Sequence, residues 1–325
     1  MTVTAIFTNK GGVGKTTFAC NFAHSLANEG KRVLVIDADP QSNATQLLLG
    51  RQEEQKGRTT LLDVMAPVMK GKGNIRTINT THSDNFGVEV IPGDMRLSLS
   101  EDMMATDWNA AKGGDVRGLN TTLTFKHMVD MVSNGFDHII FDCGPGLNSL
   151  NRAVLTASDD FVAPVRADRF SLMAIENTTA WMKIWGNQFE NAIEQAHDPD
   201  ELCASIDRVL PRFGGYVLME GLVLRNGMFR DDFSKEEFDM AAESLYRETD
   251  GRLITGNDYQ VSAMPYAPNL GYISQYNSVP IVNLDASHGL AGAIFSRQRE
   301  VREAYNRLAI GVVSQRKTAD ADFSM

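Results

Sequence analysis

The chain has 325 residues, 43% of them hydrophobic and 22% charged, with a formal net charge of −10. That balance belongs to an ordinary soluble globular chain with a large core, and it excludes a wholly basic nucleic-acid-binding domain while leaving a local basic patch open. Cys20, Cys143 and Cys203 show no metal spacing and point to a reducing, cytoplasmic setting; no apolar run reaches the ~18 residues of a membrane span, and Thr8, Asn9 and Lys10 break the first apolar run, unlike a signal peptide.

Residues 2–8 (TVTAIFT) are β-branched and apolar and read as a buried strand. A glycine loop follows, TNKGGVGKTT over residues 8–17, which carries two lysines five positions apart. Residues 16–28 read as a helix with Phe18, Phe22 and Leu26 at near-helical spacing, and Gly30 is a plausible stop. Residues 33–37 (VLVID) give a second strand, so the chain opens as strand, loop, helix, strand, the start of a parallel α/β sheet. Further strands are expected at 88–91, closed by Pro92-Gly93, at 138–141, ending at Asp142, and at 161–165, where Pro164 marks an end or an irregularity. Residues 120–133 read as a helix with an apolar face of Leu123, Met128, Met131 and Val132. A long helix over 171–195, strands at 216–224 and 260–264, and a closing helix over 290–313 complete the reading.

Gly14-Lys15-Thr16, placed after a strand and opening a helix, is a phosphate-binding loop in its required context. Its glycines let backbone N–H groups point inward, and the helix N-terminus adds partial positive charge for a polyphosphate. Lys15 is expected to reach the β- and γ-phosphates and the Thr16 hydroxyl to ligate Mg²⁺. The fold class is therefore α/β, a P-loop NTPase with a mostly parallel twisted sheet and helices on both faces. Residues 1–316 are taken as one domain with insertions near 100–119 and 195–214, and residues 317–325 as a flexible polar tail. The strict pattern GxxxxGK[ST] fails at its first place, where Asn9 stands.

Residues 10–17, KGGVGKTT, resemble the deviant Walker A motif, KGGVGKT[TS], of the ParA/MinD family of ATPases. The resemblance implies ATP and Mg²⁺ as cofactors, held by Gly11, Gly12, Val13, Gly14, Lys15, Thr16 and Thr17. It gives Lys10 a role across an ATP-sandwich homodimer, reaching the partner's nucleotide as an arginine finger does in trans; a solvated loop lysine is the alternative. Residues 35–41 (VIDADPQ) resemble the family's DxDPQ element, in which Asp39 positions the attacking water. An Asp39 that merely caps a helix is the competing reading. Asp142 closes an apolar strand in the Walker B arrangement, near the Mg²⁺ shell. The family continues with a D-x-P-P turn, whereas this chain has Asp142-Cys143-Gly144-Pro145-Gly146, which leaves the geometry of the second switch loop open. Gly144 and Gly146 would permit a change on γ-phosphate loss. Residues 157–165 resemble the strand after Walker B. Asn226 falls where the family places a base contact, or is a turn residue at a strand end, and Pro265 lies in the segment that flanks the base. The likeness covers about residues 2–185 well and 216–310 loosely.

What the resemblance implies for function is a ParA-type partition ATPase. It would have a slow basal rate, because catalysis waits for a dimer and a partner to organise the site. Its partners would be a second copy on ATP, non-specific DNA, and a ParB-like or other adaptor that stimulates hydrolysis; its place would be cytoplasmic and nucleoid-associated. DNA binding needs cations, and Arg297, Arg299, Arg302 and Arg307 lie in the closing helix against Glu300 and Glu303, followed by Arg316 and Lys317. Arg225 and Arg230 flank Asn226. The alternative is a solvated face with ion pairs such as Arg299–Glu303. A MinD-like membrane switch is the second reading, but Val301, Tyr305, Leu308 and Val312 look more like core packing than a membrane face, and Asp320 and Asp322 would be repelled by anionic lipid. An Fe–S reading finds no suitable cysteine pair, and intact Lys15, Thr16, Asp39 and Asp142 oppose a binder that has lost hydrolysis. With the first strand at the very start, no N-terminal helix-turn-helix domain is expected. Residues 100–119 and 195–214 are candidates for partner or cargo docking.

Overall fold

The computed structural model describes residues 1–50, 57–71, 75, 77–196, 208–221, 235–256 and 258–322. Its strands are β1 (Thr2–Ile6), β2 (Val33–Asp37), β3 (Thr81–Ser83), β4 (Val88–Ile91), β5 (His138–Asp142), β6 (Asp160–Val165), β7 (Arg212–Gly221) and β8 (Gln260–Pro265). They form one eight-stranded sheet in the order β3-β4-β2-β5-β1-β6-β7-β8. Every neighbouring pair is parallel except β3 with β4.

Every residue of β1, β2, β5 and β6 is buried. That is why these strands read as unbroken apolar runs, since a parallel sheet is covered on both faces. Alternate side chains enter separate cores. Val3, Ala5, Leu34, Ile36, Ile139 and Phe141 point to one face. There they meet α3 (Leu61–Met69), α4 (Leu97–Ala111), α5 (Val116–Thr122), α6 (Thr124–Val132), α7 (Ser149–Thr156), α8 (Arg169–Gln195) and α9 (Lys235–Glu248). Ile6, Val33, Val35, Ile140 and Val162 point to the other face. This side is covered by α1 (Lys15–Asn28), α2 (Asn43–Leu49), α10 (Pro268–Asn277) and α11 (Ile294–Asp322).

Several elements differ from the sequence expectation. The stretch 100–119 is helical, because Leu97, Met104, Trp108 and Ala111 recur at helical spacing and all four are buried. Glu101 on α4 accepts from the backbone N–H groups of Ser149 and Leu150, fastening this elaboration to the N-terminus of α7. The single helix expected over 120–133 is two, α5 and α6, and the buried face of α6 is Phe125, Met128 and Val129, while Met131 is 55% exposed. The closing helix expected over 290–313 starts later and runs further, as α11 (Ile294–Asp322), since residues 317–322 contain neither Gly nor Pro to end it. The irregularity expected at Pro164 takes the form of a register shift between Phe161 and Ala163 in the pairing of β6 with β7. Residues 197–207 of the 195–214 insertion, and Cys203 with them, lie outside the described residues.

Candidate active site

Parallel pairing brings the C-terminal ends of β1, β2 and β5 together, with Asp142 in register with both Ile6 and Asp37. The glycine loop leaves β1 at this point. Gly12 and Gly14 have φ of 72° and 91°, a left-handed backbone that disfavours any side chain. Gly14 caps α1 without a side chain, which leaves the first N–H groups of the helix to a ligand.

Lys15 is 7% exposed, and its ammonium donates to the Lys10 carbonyl at 2.8 Å. Burial lowers its pKa, while the charges of Asp142, Cys143 and Asp39 oppose that shift. Asp142 is fully buried and neither carboxylate oxygen has a donor at hydrogen-bond geometry. Burial first, then the Asp37 charge, pushes its pKa well up; the neighbouring Thr16 hydroxyl and the Lys15 charge act in the opposite direction. A buried carboxylate with no well-formed hydrogen bond, beside a hydroxyl, is a set of hard oxygen ligands that fits a divalent cation such as Mg²⁺.

Asp37 is equally buried but has partners. It accepts from the Thr45 N–H at 2.7 Å, the Thr45 hydroxyl at 2.6 Å and the Asp39 N–H at 3.2 Å. Burial still pushes its pKa up to about 6, against the lowering effect of the Thr45 donors. The Thr45 hydroxyl in turn accepts from the Gly93 N–H. Asp37 is therefore the anchor of the loop that carries Asp39. Asp39 does not cap α2, whose N-cap is Ser42. Its carboxylate accepts from the Gln41 N–H at 2.9 Å in a local turn. A Cβ added at Gly144 would lie 3.2 Å from the Asp39 carboxylate, so glycine in place of proline gives this carboxylate room against the second switch loop. That loop is held by Asn151, whose amide donates to the carbonyls of Gly144 at 3.0 Å and Gly146 at 2.8 Å.

Lys10 is turned away from its own loop. Its ammonium meets both oxygens of Asp168, at 2.7 and 2.5 Å, and the Ser171 hydroxyl at 3.2 Å, and it lies over the exposed Phe170 ring. Asp168 is also the N-cap of α8, accepting from the Ser171 N–H. Sequence reading missed Asp168, Ser171, Asn151 and Thr45. Asp168-x-x-Ser171 is visible as a helix start, yet nothing local pairs it with a lysine 158 positions away.

Pro265 ends β8 on the same side of the sheet as the phosphate loop. Asn226, Arg225 and Arg230 lie outside the described residues. Of the α11 arginines, Arg297 pairs with Glu300 at 2.8 Å, Arg299 with Glu303 at 3.3 Å, and Arg302 donates to the Val282 carbonyl, while Arg307 is exposed. The ion pairs of the competing reading thus form, and all of these guanidinium groups remain on the exposed side of the helix. Val301, Tyr305, Leu308 and Val312 are buried against α1, so this stripe is core. No described helix is long and apolar enough to cross a membrane.

Comparison with known proteins finds an AAA domain family matching residues 1–195. The chromosome partitioning protein ParA of Caulobacter vibrioides is 36% identical over 175 residues, covering 52% of this chain and 58% of that protein. The chain thus spans less than two thirds of that relative's length. A crystal structure of protein DIP2308 from Corynebacterium diphtheriae superposes with a TM-score of 0.70 at 29% identity, covering 86% of this chain and 97% of that one. The septum site-determining protein MinD from Pyrococcus horikoshii, solved with Mg-ADP, shares the fold at a TM-score of 0.56 and 18% identity, covering 95% of this chain and 94% of that one.

Proposed function

Since the chain belongs to the AAA domain family and, within it, to the ParA/MinD ATPases, we propose that it is a ParA-type positioning ATPase. It closes as a homodimer on ATP, binds DNA without sequence preference, and releases it when an adaptor protein stimulates hydrolysis; its cargo is a plasmid, a chromosome or a protein assembly.

The phosphates of ATP enter the cradle of Gly11 to Thr17, and Lys15 exchanges the Lys10 carbonyl for phosphate oxygens. The Thr16 hydroxyl and Asp142 would hold a Mg²⁺ that accompanies the nucleotide, and that cation would supply charge neutralisation for the phosphates. Asp39, anchored through Asp37 and Thr45, orients water for in-line attack. Lys10 leaves Asp168 and enters the partner's site, adding positive charge where the transition state concentrates negative charge. Loss of the γ-phosphate frees the loop at Gly144 and Gly146, and the dimer opens.

The observation that carries this reading is the position of Lys10. Its ammonium is bound to Asp168 and turned away from its own phosphate loop, which favours a role outside that subunit's own phosphate site once the Asp168 contact is released. Lys15→Ala removes a charge-assisted phosphate contact and should weaken nucleotide binding by about tenfold or more. Lys10→Ala should leave nucleotide affinity unchanged and abolish the ATP-dependent dimer, as read by light scattering on a sizing column. A normal ATP dimer in Lys10→Ala overturns the proposal. Binding of non-specific duplex should require ATP and weaken steeply with salt; binding in neither nucleotide state, with the dimer intact, removes DNA from the proposal.

A further inference from the structure

A cavity of about 430 Å³ lies at the opposite end of the sheet from the glycine loop. Thr2, His138, Asp160 and Arg212, which line it, are the first residues of β1, β5, β6 and β7. The five residues of β1, at about 3.3 Å each, separate the two ends by about 16 Å. A cavity of this size is in the range of small-molecule sites.

Its wall has two chemically distinct sides. Arg208 precedes β7 and Arg212 opens it, Arg252 follows α9, and Lys126 reaches in from α6. Thr156, Ser158, Asp159 and Asp160 come from the turn between α7 and β6. Four cations against two carboxylates is the reverse of the balance of the whole chain, which is −10. Most of these groups are anchored. Arg208 is spanned by Asp250 at 3.0 Å and the Thr249 carbonyl, Arg252 meets Asp160 at 2.8 Å, Lys126 meets Asp130 at 3.1 Å, and Asp159 accepts from the Val3 N–H. Arg212 stands in register with Asp160 and acts on that carboxylate by charge, but forms no contact ion pair among the described residues. Two buried oxygens of the wall, Thr2 Oγ1 and Asp160 Oδ1, have no hydrogen-bond partner. Pinned guanidinium groups around one guanidinium without a contact ion pair suit the oxygens of a dianion, and the fork geometry favours phosphate. The hydroxyls and carboxylates opposite suit a ligand that itself carries several hydroxyl groups.

We propose that this cavity is a second ligand site, distinct from the phosphate loop, for a small phosphorylated polyol or sugar, with Arg212 taking the phosphate and the turn 156–160 meeting the hydroxyls. Its wall includes Phe22 of α1, the helix that begins at the phosphate loop, and Val312 and Gln315 of α11. Occupancy would therefore be felt along α1. A duplex is not the intended occupant, since its phosphates lie on a convex ridge and these cations line a recess.

The test is calorimetric titration of the full chain with ribose 5-phosphate, glycerol 3-phosphate and inorganic phosphate. At least one ester should bind saturably and more tightly than inorganic phosphate, equally in the parent chain and in Lys15→Ala. Arg212→Ala should weaken it about tenfold or more, and Arg212→Lys should recover part of the loss. Lys126→Ala, a change on the helix surface, provides a second variant and should weaken it in the same direction if Arg212→Ala fails to fold. Absence of saturable binding for all three probes overturns the proposal. So does binding that is lost in Lys15→Ala, which would place the ester in the phosphate loop, or binding indifferent to both cavity substitutions. Loss of duplex binding in Arg212→Ala, with no ester bound by the parent, would assign the cations to DNA and equally overturn it.

Discussion

In the proposed dimer, the ammonium of Lys10 would meet either Asp168 or a partner's phosphate, but not both at once. The pair is partly exposed, 21% and 33% at the two side chains, so solvent screens it and the contact stabilises the closed-off position by only about 0.2–1 kcal/mol. That is small enough for a nucleotide to overcome and large enough to bias the proposed dimer equilibrium. Asp168 also caps α8, so removing the side chain would confuse two effects. Asp168→Asn separates them, because Asn keeps a capping oxygen and loses the charge. The variant should dimerise on ATP up to about fivefold more tightly than the parent, as measured by sedimentation equilibrium. An unchanged or weaker dimer would show that the Asp168 contact does not compete with the working position of Lys10.

At the level of elements, α1 joins the phosphate loop to the second core, and its far half carries a buried titratable group. His24 is 4% exposed, with Nδ1 2.8 Å from the Phe86 carbonyl and Nε2 3.0 Å from the Asn28 amide nitrogen. A carbonyl only accepts, so Nδ1 carries the proton and Nε2 accepts, which makes the ring neutral. Burial lowers its pKa, against the weaker effect of the Phe86 carbonyl. Below the unfolded value of about 6.5 the unfolded chain binds a proton that the folded chain refuses. The contribution is therefore intact above about pH 6.5 and lost as pH falls from there toward the depressed folded pKa. Urea midpoints should drop over that interval, and His24→Gln should lessen the drop; an equal slope in both chains would locate the acid sensitivity elsewhere. The element that bears His24 was legible in the sequence, as were β1, β2 and β5, because each is a local run with one period. The helix α4 was written there too, in Leu97, Met104, Trp108 and Ala111, but was set aside as an elaboration. In the candidate site, Gly14, Lys15 and Thr16 stand out in the sequence because a phosphate cradle would be built from consecutive residues. The pairing of Lys10 with Asp168, and of Asn151 with the switch carbonyls, depends on a sheet that brings distant segments together, and no local pattern encodes it.

For the molecule as a whole, the sheet concentrates Asp37, Asp39 and Asp142 around a single buried ammonium, Lys15. Three carboxylates and one cation in a protein interior oppose folding unless some are protonated or a ligand supplies positive charge. Asp37 is relieved by Thr45 and the Asp39 N–H, whereas Asp142 has only the weaker help of the neighbouring Thr16 hydroxyl, so the destabilisation is concentrated at the residue best placed for a metal. Asp142→Asn removes that charge with little change of shape. In metal-free buffer it should be more stable than the parent by about 1–3 kcal/mol in urea denaturation. The sign with pH follows from the raised pKa: the folded parent retains a proton that the unfolded chain releases, so its stability falls as pH rises and the advantage of the variant widens. Addition of Mg²⁺ with ATP should reverse the order, because the cation favours the ionised parent carboxylate and finds less to bind in the amide. A variant less stable than the parent without metal would mean that the carboxylate contributes to the fold by itself, and the case for a cation at Asp142 would lose its physical basis. The same buried charge that makes the empty fold weaker is what would make its stability depend on nucleotide and metal, which is the property a switch requires.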